Sequence, residues 1–95
     1  MTVYSIAQLK FTDIEAYRRY QKAFAAVFAK FNAKVLVADE DPVVIEGEWR
    51  GDKVVILAFA DEAEARRFAA SAEYQEIAKD RKAGADAVVL MVKGF

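Results

Sequence analysis

Val54-Val55-Ile56-Leu57-Ala58-Phe59 is a run of six apolar residues with no polar position inside it. A strand with one face in water alternates apolar and polar side chains, whereas an unbroken apolar run of this length reads as a strand covered on both faces. The fold must therefore supply two layers of cover for this one strand. The chain has 95 residues and is read as a single domain over 1–95. A domain of this size buries only about 60–65% of the surface that its unfolded chain exposes, so a second copy is a natural source of further cover.

Upstream of the run, Arg50-Gly51-Asp52-Lys53 reads as a hairpin turn, and Val43-Val44-Ile45-Glu46 as the strand that enters it. That strand continues Val35-Leu36-Val37 after an interruption at Asp39-Glu40-Asp41-Pro42. Proline cannot donate to a ladder, so the strand is expected to be bent, bulged or at an edge there. Thr12-x-x-Glu15 with Asp13 between is a capping-box signal, followed by Ile14, Tyr17, Tyr20, Phe24, Val27, Phe28 and Phe31 at helical spacing. Arg18, Arg19, Lys22 and Lys30 fall mainly on the other side of this helix. Before it, Val3 to Lys10 forms a strand with Tyr4, Ile6 and Gln8 on one face and Val3, Ser5, Ala7 and Leu9 on the other.

Downstream, Asp61 with Glu64 three residues later caps a second helix carrying Ala65 and Phe68. Ser71 restarts it as a separate N-cap that brings Tyr74, Ile77 and Ala78 inward, Gly84 ends it, and Ala87-Val88-Val89-Leu90-Met91-Val92 is the last strand. The order β-α-β-β-α-β is that of an α+β ferredoxin-like sandwich, an antiparallel sheet with helices on one face. Four strands about 4.8 Å apart and about 20 Å long leave roughly 400 Å² of the opposite face open in projection. Apolar patches of that extent mark interfaces. Two copies are expected to pair sheet to sheet as a homodimer, closing an α/β barrel.

Hydrophobic residues make up 56% of the chain and charged residues 31%, a globular composition. The formal charge is −1 and the pI about 5.4, so there is no basic field to attract nucleic acid or an anionic membrane. Cysteine and histidine are both absent. This removes disulfides, thiol chemistry, structural zinc, Ser-His-Asp and Cys-His machinery, and haem held by histidine. Asp39-Glu40-Asp41 lacks the glycine and distal glutamate of a calcium loop and reads as a solvated turn. No metal and no cofactor are expected. Arg50-Gly51 is followed by Asp52-Lys53 rather than the aromatic pattern of an RNA-recognition strand. Met1-Thr2-Val3-Tyr4 enters a strand without a signal-peptide pattern, and no apolar run reaches about 18 residues, so a cytoplasmic location is expected.

Two polar islands stand out: Glu46-Gly47-Glu48-Trp49, and Ser71-Ala72-Glu73-Tyr74-Gln75 followed by Arg81. With Tyr17 and Tyr20 ahead of them, they resemble the small bacterial proteins of the DUF1330 family, a domain of unknown function in the dimeric α/β-barrel superfamily. The resemblance runs over nearly the whole chain. The family has no settled activity, and the resemblance implies fold and dimeric assembly; the leading reading is a homodimer holding a small, largely apolar organic molecule between helices and sheet. Tyr17, Trp49 and Tyr74 would be walls; Glu46, Ser71 and Arg81 would supply polarity.

The superfamily also contains cofactor-independent monooxygenases and isomerases, which gives a rival reading with Glu46 as base and Arg81 stabilising an enolate or phenolate. A structural or regulatory dimer without ligand is the third. Each residue also has a purely structural reading: Glu46 paired with Arg81 or Lys53, Trp49 covering the barrel end, Tyr20 in the core, Ser71 as an N-cap and Arg81 at the dimer seam. The chain departs from the family pattern at Ala58 and Ala60, in place of a glutamate and a proline, and at Ala69 and Ala72 around the serine.

Overall fold

In a computed structural model describing residues 1–95, the chain forms β1 (Val3–Phe11), α1 (Ile14–Phe28), β2 (Ala33–Asp39), β3 (Lys53–Phe59), α2 (Glu62–Ala70), α3 (Ala72–Gly84) and β4 (Ala85–Lys93). All strand pairs are antiparallel, in the order β2-β3-β1-β4. The expected ferredoxin-like sandwich is therefore present, with β3 and β1 at the centre and the second helical stretch divided into α2 and α3 at Ser71. No helix is long and apolar enough to cross a membrane.

Strand register sorts the side chains. Ser5 pairs with Leu57, Ala7 with Val55 and Leu9 with Lys53, and directly paired residues share a face. Val3, Leu9, Leu57 and Phe59 are buried under the helices. The alternate residues Tyr4, Ile6, Val54 and Ile56 form the opposite face, continued on β4 by Val88, Leu90 and Val92, which remain exposed. β4 is uncovered on its helix side as well, at Val89 and Met91.

Two local expectations are corrected. Val43-Val44-Ile45-Glu46 is not a strand. β2 pairs with β3 from Ala33↔Phe59 to Asp39↔Val54, so that edge of β3 is occupied from Val54 to Phe59 without this segment. The irregularity expected at Pro42 lies instead at a bulge between Val35 and Val37. Glu40 to Asp52 becomes an arm whose Val43 and Ile45 are 83% and 90% exposed. Arg50 to Lys53 is consequently no hairpin turn. Asp52 anchors the arm: its N–H donates to the Leu9 carbonyl at 2.6 Å, and its carboxylate accepts from the Phe11 N–H at 2.8 Å.

The second correction concerns the start of α1. Its N-cap is Asp13, whose side chain accepts from the N–H groups of Glu15 and Ala16 at 3.2 and 3.3 Å. Thr12 is occupied elsewhere. Its N–H and that of Asp13 donate to the Gly84 carbonyl at 2.9 and 3.1 Å, and its hydroxyl donates to the Ala83 carbonyl at 3.4 Å. The end of α3 thus closes on the start of α1, and a side chain at position 84 would meet the backbone of Tyr17 and, at 2.7 Å, the Asp13 carbonyl.

Replacing Gly84 by alanine is therefore expected to destabilise the domain by about 1–3 kcal/mol through overpacking. At about 4–8 °C per kcal/mol for a domain of this size, calorimetry should find the unfolding midpoint lowered by several degrees or more. An unchanged midpoint would mean that the two helix ends are not held this closely.

Candidate ligand-binding site

The core is divided. One cluster gathers Val3, Val27, Phe28, Leu57, Phe59, Ala65 and Phe68; a second gathers Leu9, Tyr17, Tyr20 and Ala85. Partly buried Phe24, Val55, Tyr74 and Ile77 touch both. Between the clusters lies a cavity of about 230 Å³. It exists because the helix-facing side of β1 is small at its middle, with Ser5 and Ala7 between the larger Val3 and Leu9, and because Ala38 is small on β2. Phe24 and Phe68 line the space, with ring centroids 6.1 Å apart.

Of the residues singled out from sequence, Tyr17, Tyr74 and Arg81 line this cavity, and Tyr20 joins them. Glu46, Trp49 and Ser71 do not line it. Glu46 is exposed on the arm. Trp49 is half-buried and folds over Gly51, where a Cβ atom would stand 2.5 Å from the indole. Ser71 accepts the Tyr74 N–H at 3.1 Å and so fixes the first turn of α3, from which Tyr74 reaches the cavity. Seven residues, two helical turns, separate Tyr74 from Arg81 and place both on one face of that helix.

The polar chemistry of the cavity involves residues that sequence reading passed over. Lys53 is the one buried charged residue, 3% exposed. Its amine lies 3.5 Å from the Glu40 carboxylate and 4.9 Å from the centroid of the Tyr17 ring, a cation–π contact. Glu40 is gripped through both oxygens by Arg18, at 2.5 and 2.6 Å. The Asp39-Glu40-Asp41 turn is thus more than solvated polarity, for Glu40 ties α1 to the foot of β3.

Arg18 holds the Glu40 carboxyl down at about 2, with Lys53 adding to the effect. Burial lowers the Lys53 amine from its ordinary value, and Glu40 opposes the shift. The Tyr17 hydroxyl is pushed up to about 12, first by burial and then by the Glu40 charge. Burial also raises Tyr20, helped by Tyr74, whose hydroxyl shares a 3.2 Å hydrogen bond with its own. Tyr17 and Tyr20 accordingly stay neutral at physiological pH and can donate. Nothing in the cavity resembles a metal site, and no group of three or more acidic side chains is close enough to hold an ion.

The family described as Domain of unknown function (DUF1330) matches residues 2–95. No curated protein sequence matches the chain. Among solved structures, the fold is similar to that of a protein of unknown function from Rhodopseudomonas palustris, with TM-score 0.84 and 19% identity over 99% of this chain and 82% of that one. It is similar also to a dimeric ferredoxin-like protein of unknown function from Jannaschia sp., with TM-score 0.74 and 13% identity over 99% and 100%. SnoaB from Streptomyces nogalater, a cofactor-independent oxygenase, has TM-score 0.71 and 16% identity over 99% and 93%. Identities this low establish likeness of fold.

The Glu40 geometry has a measurable consequence. A carboxyl held below its unfolded value contributes stability that is complete above the ordinary carboxylate range and is lost as pH falls toward about 2. Glu40→Gln also leaves Lys53 without its counter-charge, and is expected to cost about 1–3 kcal/mol near neutral pH. That deficit should shrink as pH approaches 2. Glu64, held low by Arg67, contributes equally to both proteins and cancels in the difference. Urea unfolding followed by Trp49 fluorescence across pH measures it; a deficit independent of pH would contradict the assignment.

Proposed function

The chain belongs to the DUF1330 family, and we propose that it acts as a homodimer holding a small, largely apolar organic molecule between helices and sheet. The observation that carries this reading is the cavity between the two core clusters, walled mainly by apolar side chains and reached by Tyr17, Tyr20, Tyr74 and Arg81. Ligand sites have this character, apolar walls with a few converging polar groups. A small domain that leaves such space at its centre forgoes packing it can scarcely spare. Tyr17, Tyr74 and Arg81 are the binding residues in this proposal; Ser71 acts through Tyr74, while Glu46 and Trp49 serve on the arm.

Support for the dimer comes from the uncovered sheet face and from dimeric ferredoxin-like neighbours such as those from Jannaschia sp. and Thermobifida fusca. A stable interface buries about 800 Å² on each partner. The open sheet offers roughly 400 Å² in projection. Exposed apolar side chains at the arm, Val43, Val44 and Ile45, and at the β4 edge, Val89 and Met91, provide further area.

A second reading, in which the cavity catalyses a cofactor-independent oxygenation or an isomerisation, is supported by the likeness of fold to SnoaB. There Arg81 would stabilise an enolate or phenolate. Glu46, as base, would have to be carried in by the arm. Loss of turnover with retained affinity in Glu46→Gln would favour that reading.

Ala7 sits on the cavity wall at the middle of a central strand, which makes Ala7→Leu the test of the binding reading. Three added carbons should occupy the space, raise stability by about 1–2 kcal/mol and abolish the amide shifts that a probe such as toluene produces around Phe24 and Tyr74 in the unaltered protein. A loss of about 1–3 kcal/mol, the mark of overpacking, together with no response to toluene in the unaltered protein, would sink it.

A further inference from the structure

Charge in the cavity is one-sided. Its lining contains Lys53 and Arg81 and neither an aspartate nor a glutamate. Arg81 takes part in none of the chain's ion pairs. Its Nε is buried and has no hydrogen-bond partner. Native proteins almost always satisfy buried polar groups, and a buried guanidinium N–H has much to gain from an acceptor. Lys53 is in a related position. Its one carboxylate neighbour, Glu40, lies 3.5 Å away and gives both oxygens to Arg18 at shorter distances.

We propose that the cavity recognises a small organic acid, a single carboxylate on an apolar body of about one ring, with the carboxylate held by Arg81 and faced by Lys53. This rests on the ligand-binding reading above and adds the charge and size of the ligand to it. One negative charge suits the site, because Arg81 is uncompensated while Lys53 is partly compensated by Glu40. The neighbouring tyrosines do not oppose an anion. Tyr17 and Tyr20 remain un-ionised and can donate from their hydroxyls. Arginine also presents a planar fork that matches a carboxylate in two parallel hydrogen bonds, which gives orientation as well as charge.

Size sets the rest of the ligand. A dry apolar cavity of about 150 Å³ takes benzene, and pockets for drug-sized compounds begin at about 300 Å³. The cavity, at about 230 Å³, lies between them. Phe24, Val55, Leu57 and Phe68 supply the surfaces against which a single ring or a short branched chain would rest.

The test compares acids with uncharged partners of the same shape: benzoate with benzamide, cyclohexanecarboxylate with its carboxamide, and isovalerate with isovaleramide. Each is titrated into the ¹⁵N-labelled protein, with amide shifts as the readout. At least one acid is expected to bind ten or more times tighter than its amide, and Arg81→Met should abolish that preference by weakening the acid far more than the amide. Where Arg81→Met does not fold, Lys53→Met and the acid-to-amide ratio in the unaltered protein serve instead. If every amide binds as well as its acid, the charge assignment is overturned and the apolar-ligand reading stands. If no member of any pair perturbs the cavity resonances at millimolar concentration, both fall.

Discussion

The need to cover β3 on both faces is the constraint on which the rest depends. Its run from Val54 to Phe59 has no polar position to turn toward water, and at about 25 cal/mol per Å² of apolar surface the drive to cover both sides is large for a chain this short. α1, α2 and α3 meet one side through Leu57 and Phe59, which rest in the aromatic cluster of Phe28 and Phe68. Val54 and Ile56 point the other way, where this chain has no further layer to offer. Central placement of β3 and β1, exposure of β4 and the proposed pairing of copies all follow from that asymmetry.

The same strand sets the electrostatics of the cavity. Because side chains alternate, the positions that pair β3 with Ser5, Ala7 and Leu9 are Leu57, Val55 and Lys53, so the lysine at the start of the strand is directed under the helices. A buried ammonium is tolerable only with compensation. Glu40 and the Tyr17 ring provide it, and Arg18 fixes Glu40 from α1. Small residues on β1 open the space into which Lys53 and Arg81 face, so packing and charge distribution at the site have a common origin in strand register.

Legibility from sequence was high where the signal was local. Apolar runs located the central and terminal strands, alternation separated the faces of β1, and Asp61 and Ser71 cap their helices as their spacing implies. The failures have physical causes. Val43-Val44-Ile45 has strand composition, but a strand needs a partner, and β2 occupies the free edge of β3 from Val54 to Phe59. Thr12 and Asp13 can both cap, Asp13 is the better of the two, and Thr12 is further engaged by the contact with Gly84, 72 residues away. Tyr17, Tyr74 and Arg81 could be placed on inward helix faces from spacing alone. Lys53 was hidden by its place at the edge of a turn-like sequence, although counting back by two from Leu57 and Val55 puts it on the cavity side. Glu40 had no local signal, since its partners come from α1 and β3.

The central claim, that β3 is covered by helices on one face and by a second copy on the other, is tested most directly by native mass spectrometry at micromolar concentration. Gentle purification lets the same spectrum report any small molecule carried in the cavity. The account predicts a species at twice the 10.6 kDa mass of the chain, with or without a discrete adduct. A spectrum showing only the 10.6 kDa chain would contradict it, because the apolar face of β3, β1 and β4 would then be stable in water with nothing to cover it.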